Sequence, residues 1–363
     1  MTIYISGGSN SLKKDGWVPK LHEVLGSQTD LRNISIGGAP SQMGAYRSLF
    51  SISMEAGDTV LWEDAINDEL HIDLRGYEVD TLLNGVEWLL RGCHQRGIKF
   101  AAMVFRTRRR HLRPTDCTYT EKLAALFRRY DVPVFDVNAE FAIRRPRKDG
   151  VQASHYSDNA HYDTEKSIMK MIVKGAVEMV EQARVPADGG PGTDLVVYDR
   201  FEGGEQSRFE NSAGAFEVWK PGESGMSVQF DEAGTVVGLV LLSTTKGGVI
   251  DVSLNGSSAR ISLAFKEKNY DKPMMKFISL PTLTGQPLTF EAGDSFRIDW
   301  ADTAEGALAD LKFNANPGPR VVSGREARIA ALLVQSAPTA EVSSASAPRG
   351  GLVNRLLGKT ARP

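Results

Sequence analysis

Two hydrophobic periods alternate along the first half of the chain. Ile3 to Ile5, Thr59 to Trp62 and Ile98 to Phe105 are short apolar runs with the length and residue content of buried strands. Leu31 to Ile36 alternates into Gly37-Gly38, and Val132 to Val137 is a further short strand. Between them apolar residues recur at helical spacing: Trp17, Leu21 and Val24; Met43, Tyr46, Leu49 and Phe50; then Val79 to Gln95, Thr120 to Arg129 and Thr164 to Ala183. Strand-helix alternation of this kind predicts a parallel sheet with helices on both faces, an α/β unit over residues 1–184. Such a sheet carries its site at the carboxyl ends of its strands, where Ser9, Gly37-Gly38 and the residues after Trp62 fall.

The pattern changes after Arg184. Residues 185–194, including Pro186, Gly189, Gly190, Pro191 and Gly192, read as a linker. From Leu195 to residue 335 the chain becomes short alternating runs separated by Gly, Asn and Pro, which predicts an antiparallel β-sandwich of jelly-roll-like kind. The Ala/Ser/Pro-rich tail, residues 336–363, reads as disordered. Its end, Gly351 to Thr360, has the wrong glycine spacing for a phosphate loop.

The chain has 363 residues, 41% hydrophobic and 24% charged, enough for two cores. A formal net charge of -2 offers no whole-chain attraction to nucleic acid or to a membrane surface. The longest apolar run, Val236 to Leu242, is too short to span a bilayer. No signal-peptide pattern precedes the first strand, so the sequence as given reads as cytoplasmic. Cys93 and Cys117 are too few for a disulfide framework and read as free, inert thiols.

Candidate chemistry gathers at the strand ends. Ser9 follows Gly7-Gly8 at the end of the first strand, where it offers a hydroxyl nucleophile and, with its N–H at a helix start, an oxyanion donor; capping that helix is its structural alternative. Asn67, after the third strand, can present its amide beside Ser9, or serve as a turn asparagine with Asp68 as a cap. Asp158 precedes His161 by three residues, a spacing that lets the carboxylate hold one ring nitrogen while the other faces Ser9. His155 is a competing base.

These residues together resemble the four sequence blocks of the SGNH (GDSL-type) hydrolases. Ser9 in Gly7-Gly8-Ser9 matches the first block, Gly38 the second, Asn67 the third, and Asp158 with His161 the fourth, over residues 1–184. The resemblance implies a flavodoxin-like three-layer fold, with Ser9 as nucleophile, His161 as base and Asp158 as its orienting group. The oxyanion hole it implies is formed by the Ser9 and Gly38 N–H groups and the Asn67 amide, with Gly37 an alternative to Gly38. No metal or organic cofactor is implied. Gly8 stands where the family usually has Asp, and Ala65 where it usually has Gly. The absence of a Gly-x-Ser-x-Gly run argues against an α/β-hydrolase.

The run from Arg106 to Arg113, with Arg106, Arg108 and Arg109, lies on the same rim, as do Arg144, Arg145, Arg147 and Lys148. It is a solvated loop or a collar for an anionic substrate; with no aromatics interleaved, nucleic acid is not the expected partner. In the sandwich, Trp219, Tyr270 and Trp300 are either core residues or sugar-stacking platforms. The expected function is hydrolysis of an acylated, chiefly acetylated, carbohydrate or polysaccharide through an acyl-enzyme. An O-acetyltransferase using the same site and a non-catalytic glycan-binding or assembly protein are the alternatives.

Overall fold

In this computed structural model, residues 1–112, 118–144, 153–165, 167–211, 214–265, 273–309 and 326–337 are described. Arg113, Cys117, Arg145, Arg147, Lys148, Tyr270 and the tail from residue 338 lie outside them, as does the side chain of Arg144.

Strands β1 (Thr2–Gly7), β2 (Asp30–Asn33), β3 (Thr59–Glu63), β4 (Lys99–Val104) and β5 (Val134–Asp136) form a sheet in the order β2-β1-β3-β4-β5 with every pair parallel. Side-chain alternation divides its residues between two cores. Ile3, Ile5, Leu61, Ala101 and Met103 are buried in one cluster with α1 (Trp17–Leu25). Tyr4, Val60, Trp62, Phe100, Ala102 and Val104 are buried in the other with α2 (Ser41–Tyr46). The remaining helices are α3 (Ala65–Arg75), α4 (Val79–Arg96), α5 (Arg108–Leu112), α6 (Thr118–Arg129), α7 (Val137–Arg144) and α8 (Ser167–Gln182). Residues of α4 and α6 join the second cluster, and residues of α7 and α8 the first, completing three layers of the expected flavodoxin-like kind. The strand order reverses between β1 and β3, so a crevice opens between their carboxyl ends.

Three element boundaries bear on the sequence expectation. The second strand is regular over Asp30–Asn33, and its backbone goes on bonding to β1 as far as the expected Ile36, with Ile34 N–H on the Ile5 carbonyl and Ile36 N–H on the Gly7 carbonyl, both at 3.0 Å. Helix α3 was not foreseen, since Asn67, Asp68 and Glu69 in its first half are buried and erase the amphipathic pattern. The last helix begins at Ser167 rather than Thr164.

The antiparallel strands are β6 (Leu195–Tyr198), β7 (Gly204–Asn211), β8 (Gly214–Pro221), β9 (Met226–Gln229), β10 (Gly234–Ser243), β11 (Val249–Leu254), β12 (Ser257–Ser262), β13 (Met274–Ser279), β14 (Leu288–Phe290), β15 (Ser295–Trp300) and β16 (Arg328–Ser336); the short helix α9 (Leu280–Thr284) follows β13. A seven-stranded sheet holds β13-β10-β16-β8-β7 with β14 and β6 alongside, and a four-stranded sheet runs β12-β11-β15-β9. Ile250, Val252 and Ile298 of the smaller sheet share a core with Leu239, Leu241 and Leu332 of the larger, which makes the pair a sandwich.

The run Val236 to Leu242 is apolar at nearly every position because both of its faces are covered. Val236, Leu239 and Leu241 belong to the sandwich core, while Val237, Val240 and Leu242 share a buried cluster with α2 and α4 of the first unit. Polar ties reinforce this contact: the Ser279 N–H donates to Tyr77 Oη at 3.2 Å, and Arg91 meets Asp194 at 3.0 Å. The Arg47 side chain, 2% exposed, lies over the Phe216 ring at 5.1 Å. Among the described residues, no helix is long and apolar enough to cross a membrane.

Phe216→Ala should therefore lower stability by about 3–5 kcal/mol, because it empties a packed site and uncovers a buried guanidinium. Urea unfolding monitored by circular dichroism measures this, and a loss below about 1 kcal/mol would mean that the two units are not packed as described.

Candidate active site

Ser9 lies two residues beyond β1 in a turn closed by Ser11 N–H to the Gly8 carbonyl at 3.1 Å and Leu12 N–H to the Ser9 carbonyl at 3.2 Å. Helix α1 starts at Trp17 and is preceded by Gly16 at its N-cap position. Ser9 thus neither caps that helix nor places its N–H at the helix start; a turn presents it instead.

The loop from Tyr156 to Tyr162 approaches Ser9 from the far end of the unit. Its stem is closed by the stacked Tyr156 and Tyr162 rings, 4.5 Å between centroids, and by a backbone bond from Ser157 N–H to the His161 carbonyl at 2.9 Å. At its tip, Asp158 Oδ1 accepts the Ala160 and His161 N–H groups at 2.7 and 2.9 Å. Asp158 Oδ2 is 2.6 Å from His161 Nδ1, and His161 Nε2 is 2.7 Å from Ser9 Oγ. A carboxylate on Nδ1 holds that nitrogen protonated and leaves Nε2 to accept the serine proton. Burial alone would raise the Asp158 carboxyl, but the bonds from the His161 ring and the two amides outweigh it and hold the group below its usual 3.8. His155 points elsewhere, its ring against Phe141 at 5.0 Å.

Asn10, which the sequence reading passed over, joins these two segments. Its Nδ2 donates to the Ala160 carbonyl at 2.8 Å and its Oδ1 accepts the Tyr162 N–H at 3.1 Å. One amide therefore grips the backbone on both sides of His161 while sitting next to Ser9 in sequence, and it is 4% exposed. Nothing in the local sequence marks it, because its burial depends on the distant loop that it holds.

Asn67 sits in the first turn of α3, 1% exposed, and its Nδ2 meets no acceptor at hydrogen-bonding geometry. The amide is near enough to Asp64 to pull on that carboxyl without forming a well-aligned bond. A Cβ at Gly8 would fall 2.1 Å from Asn67 Nδ2, so a side chain there would displace the amide from its present place. Asp68 is not a cap: it accepts from the Ser41 N–H at 2.9 Å, the Ser41 hydroxyl and the Tyr119 hydroxyl at 2.7 Å.

Gly37 and Gly38 form the middle of a turn closed by Ala39 N–H to the Ile36 carbonyl at 3.3 Å, with Gly38 at φ +67°, a backbone region that favours glycine. A Cβ at Gly37 would lie 3.9 Å from the Ser9 Cβ, so this turn borders Ser9. No protein acceptor is found for the N–H of Ser9, Gly37 or Gly38 among the described residues. Three backbone N–H groups and one side-chain amide, none with a well-aligned acceptor, thus border Ser9, an arrangement suited to a developing oxyanion.

The basic rim divides. Arg106 is paired with Asp136 at 2.8 Å and Arg110 with Asp73 at 2.6 Å, so both are structural. Arg108 and Arg109 brace the histidine loop with their backbones: their N–H groups reach the Asn159 carbonyl at 2.8 Å and Asn159 Oδ1 at 3.0 Å. Trp219 and Trp300 are half-buried against the sandwich core, with their indole N–H groups on the carbonyls of Asp199 at 2.8 Å and Pro221 at 2.9 Å. On the first unit, the turn from Gly37 to Pro40 shares a narrow cleft with Met274 to Phe277 of β13, so the second unit borders the site.

Four carboxyls lie buried beneath the site, Glu63 and Asp64 at the end of β3 and Asp68 and Glu69 in α3. Burial pushes Glu63 up to about 8, and Asp68 and Glu69 each to about 7. Burial, with Asp68 and Glu63 adjacent, raises Asp64 well above its usual value.

No protein-family model matches the sequence, and no curated protein matches it. Among solved structures, the chain is similar to a two-domain esterase active on acetylated mannans, crystallised with mannopentaose: 13% identity, TM-score 0.57, 93% of this chain and 90% of that one covered. A second structure of such an esterase aligns with TM-score 0.53 at 12% identity, over 92% of this chain and 91% of that one. An acetyl xylan esterase aligns over 49% of this chain and 99% of its own, with 13% identity and TM-score 0.42. The likeness to the first two establishes a shared fold through both units.

Two outcomes follow from the geometry. Asn10→Ala should slow phosphonylation of Ser9 by a fluorophosphonate about 100-fold, since releasing the histidine loop moves His161 away from Ser9; labelling at the wild-type rate would show that the clamp is dispensable. The raised carboxyls bind protons more tightly folded than unfolded, where they titrate near 3.8 to 4.5. Stability should therefore fall as pH rises from about 5 to about 8. Melting temperatures across that window would show the decline, with a shallower slope for Glu69→Gln; a rising midpoint would contradict it.

Proposed function

We propose that the protein is a serine esterase of SGNH type that removes acetyl groups from an acetylated carbohydrate. The observation that carries this reading is the continuous chain Asp158 Oδ2 to His161 Nδ1, 2.6 Å, and His161 Nε2 to Ser9 Oγ, 2.7 Å, beside donors with no other partner.

In this mechanism Ser9 Oγ attacks the ester carbonyl as its proton passes to His161 Nε2. The carbonyl oxygen takes the negative charge and is met by the Ser9 N–H, the Gly38 or Gly37 N–H and Asn67 Nδ2. Collapse of this tetrahedral species breaks the bond to the sugar oxygen, which leaves with the proton from His161. A water then gives a proton to His161 and attacks the acyl-enzyme, and Ser9 departs with that proton while acetate is released. Asp158 stays ionised throughout and stabilises the imidazolium between steps.

Hydrolysis is favoured over transfer because the site is open: the His161 side chain is 27% exposed and that of Asp158 56%. Water reaches such a base readily, whereas a transferase must exclude it. The carbohydrate substrate is inferred from the fold shared with an esterase active on acetylated mannans, through both units. Arg108 and Arg109, whose backbones are held against the histidine loop, add positive charge at its edge that would favour acidic groups on that polymer.

Purified wild type should hydrolyse an aryl acetate and release acetate from acetylated mannan, and Ser9→Ala should lower kcat by about 1,000-fold or more. Full activity in Ser9→Ala, or no ester hydrolysis by the wild type on any acetylated glycan, would refute the assignment.

A further inference from the structure

We infer that Glu63 is a positioning residue for the nucleophile, one carboxyl oxygen setting the Ser9 turn from beneath. The inference rests on Ser9 being the nucleophile and goes beyond the four sequence blocks, none of which contains this residue.

Glu63 ends β3 and lies directly opposite Gly7, the last residue of β1, in the parallel register. It is 0% exposed, and a Cβ at Gly7 would sit 2.9 Å from Glu63 Oε2, so the carboxyl lies flush beneath the turn. That one oxygen accepts the Gly8 N–H at 3.3 Å and the Ser11 hydroxyl at 2.7 Å. The two donors bracket Ser9 in sequence, one residue before it and two after. Asn10, between them, is committed to the histidine loop. The turn is consequently pinned at Gly8, Asn10 and Ser11, which leaves Ser9 with its N–H unspent and its hydroxyl on His161.

A purely structural acid would not require this geometry. Glu63 Oε1 has no hydrogen-bond partner, and burying a carboxyl with one oxygen unsatisfied is costly. An apolar side chain of similar size would fill the same space without that cost. What it would lack is the acceptor beneath Gly8 and Ser11. A displacement of the turn by about 1 Å suffices to lose a near-attack geometry worth about 100-fold in rate.

The other buried acids follow the same plan for neighbouring loops. Asp68 holds Ser41 beyond the Gly37-Gly38 turn, and Glu69 accepts the Thr107 N–H at 2.9 Å, ahead of the residues that brace Asn159. Each loop of the site thus has its own carboxyl anchor on the β3–α3 corner, and Glu63 serves the nucleophile.

The test compares Glu63→Gln, which keeps an acceptor oxygen, with Glu63→Leu, which keeps only the volume. Ser9 labelling by a fluorophosphonate is followed by mass spectrometry, aryl acetate kinetics are measured alongside, and melting temperatures confirm folding. Glu63→Leu should label about 100-fold more slowly, with the deficit in kcat and KM little changed, while Glu63→Gln stays within about threefold of wild type. Equal labelling in Glu63→Leu and wild type, or equal loss in both variants, overturns the inference. If Glu63→Leu does not fold, Ser11→Ala decides: losing one of two bonds to Oε2 should slow labelling about fivefold, and an unchanged rate overturns it. A wild type that takes no probe at Ser9 defeats the serine reading, and this inference with it. Labelled wild type with unaffected Glu63 variants defeats this inference alone.

Discussion

A single amide side chain carries the constraint on which the site depends. Asn10 is adjacent to Ser9 and bonds the backbone on either side of His161, although the two segments are separated by about 150 positions. The bond to Tyr162 is buried and that to Ala160 partly so, and breaking the first would strand the Tyr162 N–H and the amide oxygen. That asymmetry fixes the distance between Ser9 and His161 more firmly than the bond between them, which joins two partly exposed side chains. Lys13 adds to the same seam through the Tyr162 carbonyl at 3.1 Å.

Beneath this clamp, the corner where β3 passes into α3 concentrates polar groups that an ordinary core would exclude. Four carboxyls are buried there, and each approaches a different part of the site. Buried acids of this kind reduce stability at neutral pH, because the folded chain holds protons that the unfolded chain releases. The compensation is geometric. Backbone N–H groups in loops have no ladder partners, and a buried carboxyl oxygen accepting them fixes a loop that packing alone would leave loose. The unspent donors around Ser9 exist because their neighbours are so firmly committed.

The second unit is joined to the first by apolar burial more than by charge. Strand β10 has one face in the sandwich core and the other against α2 and α4, and the buried Arg47 stacks on Phe216 across the junction. Apolar contact of this extent resists relative motion of the units. It also keeps β13 beside the Gly37 to Pro40 turn, so the sandwich is placed to touch whatever occupies the neighbouring crevice.

Local pattern in the chain determined a great deal. The apolar periods of Ile3 to Ile5, Thr59 to Trp62 and Ile98 to Phe105 specify a parallel sheet, and the three-residue step from Asp158 to His161 specifies a carboxylate-imidazole pair, since short-range geometry depends on neighbours in sequence. Helix α3 was hidden for the opposite reason: its burial of Asn67, Asp68 and Glu69 contradicts any amphipathic pattern and is stabilised only by partners such as Ser41 and Thr107, far away in the chain. The same holds for Asn10 and Glu63, whose residue types carry no signal until their acceptors and donors are in place. For Trp219 and Trp300 the sequence allowed both core and platform, and only the assembled sandwich shows how far each ring is covered. Tertiary structure alone settled which polar groups are shielded from water, because burial is a property of the assembled layers and not of any stretch of chain.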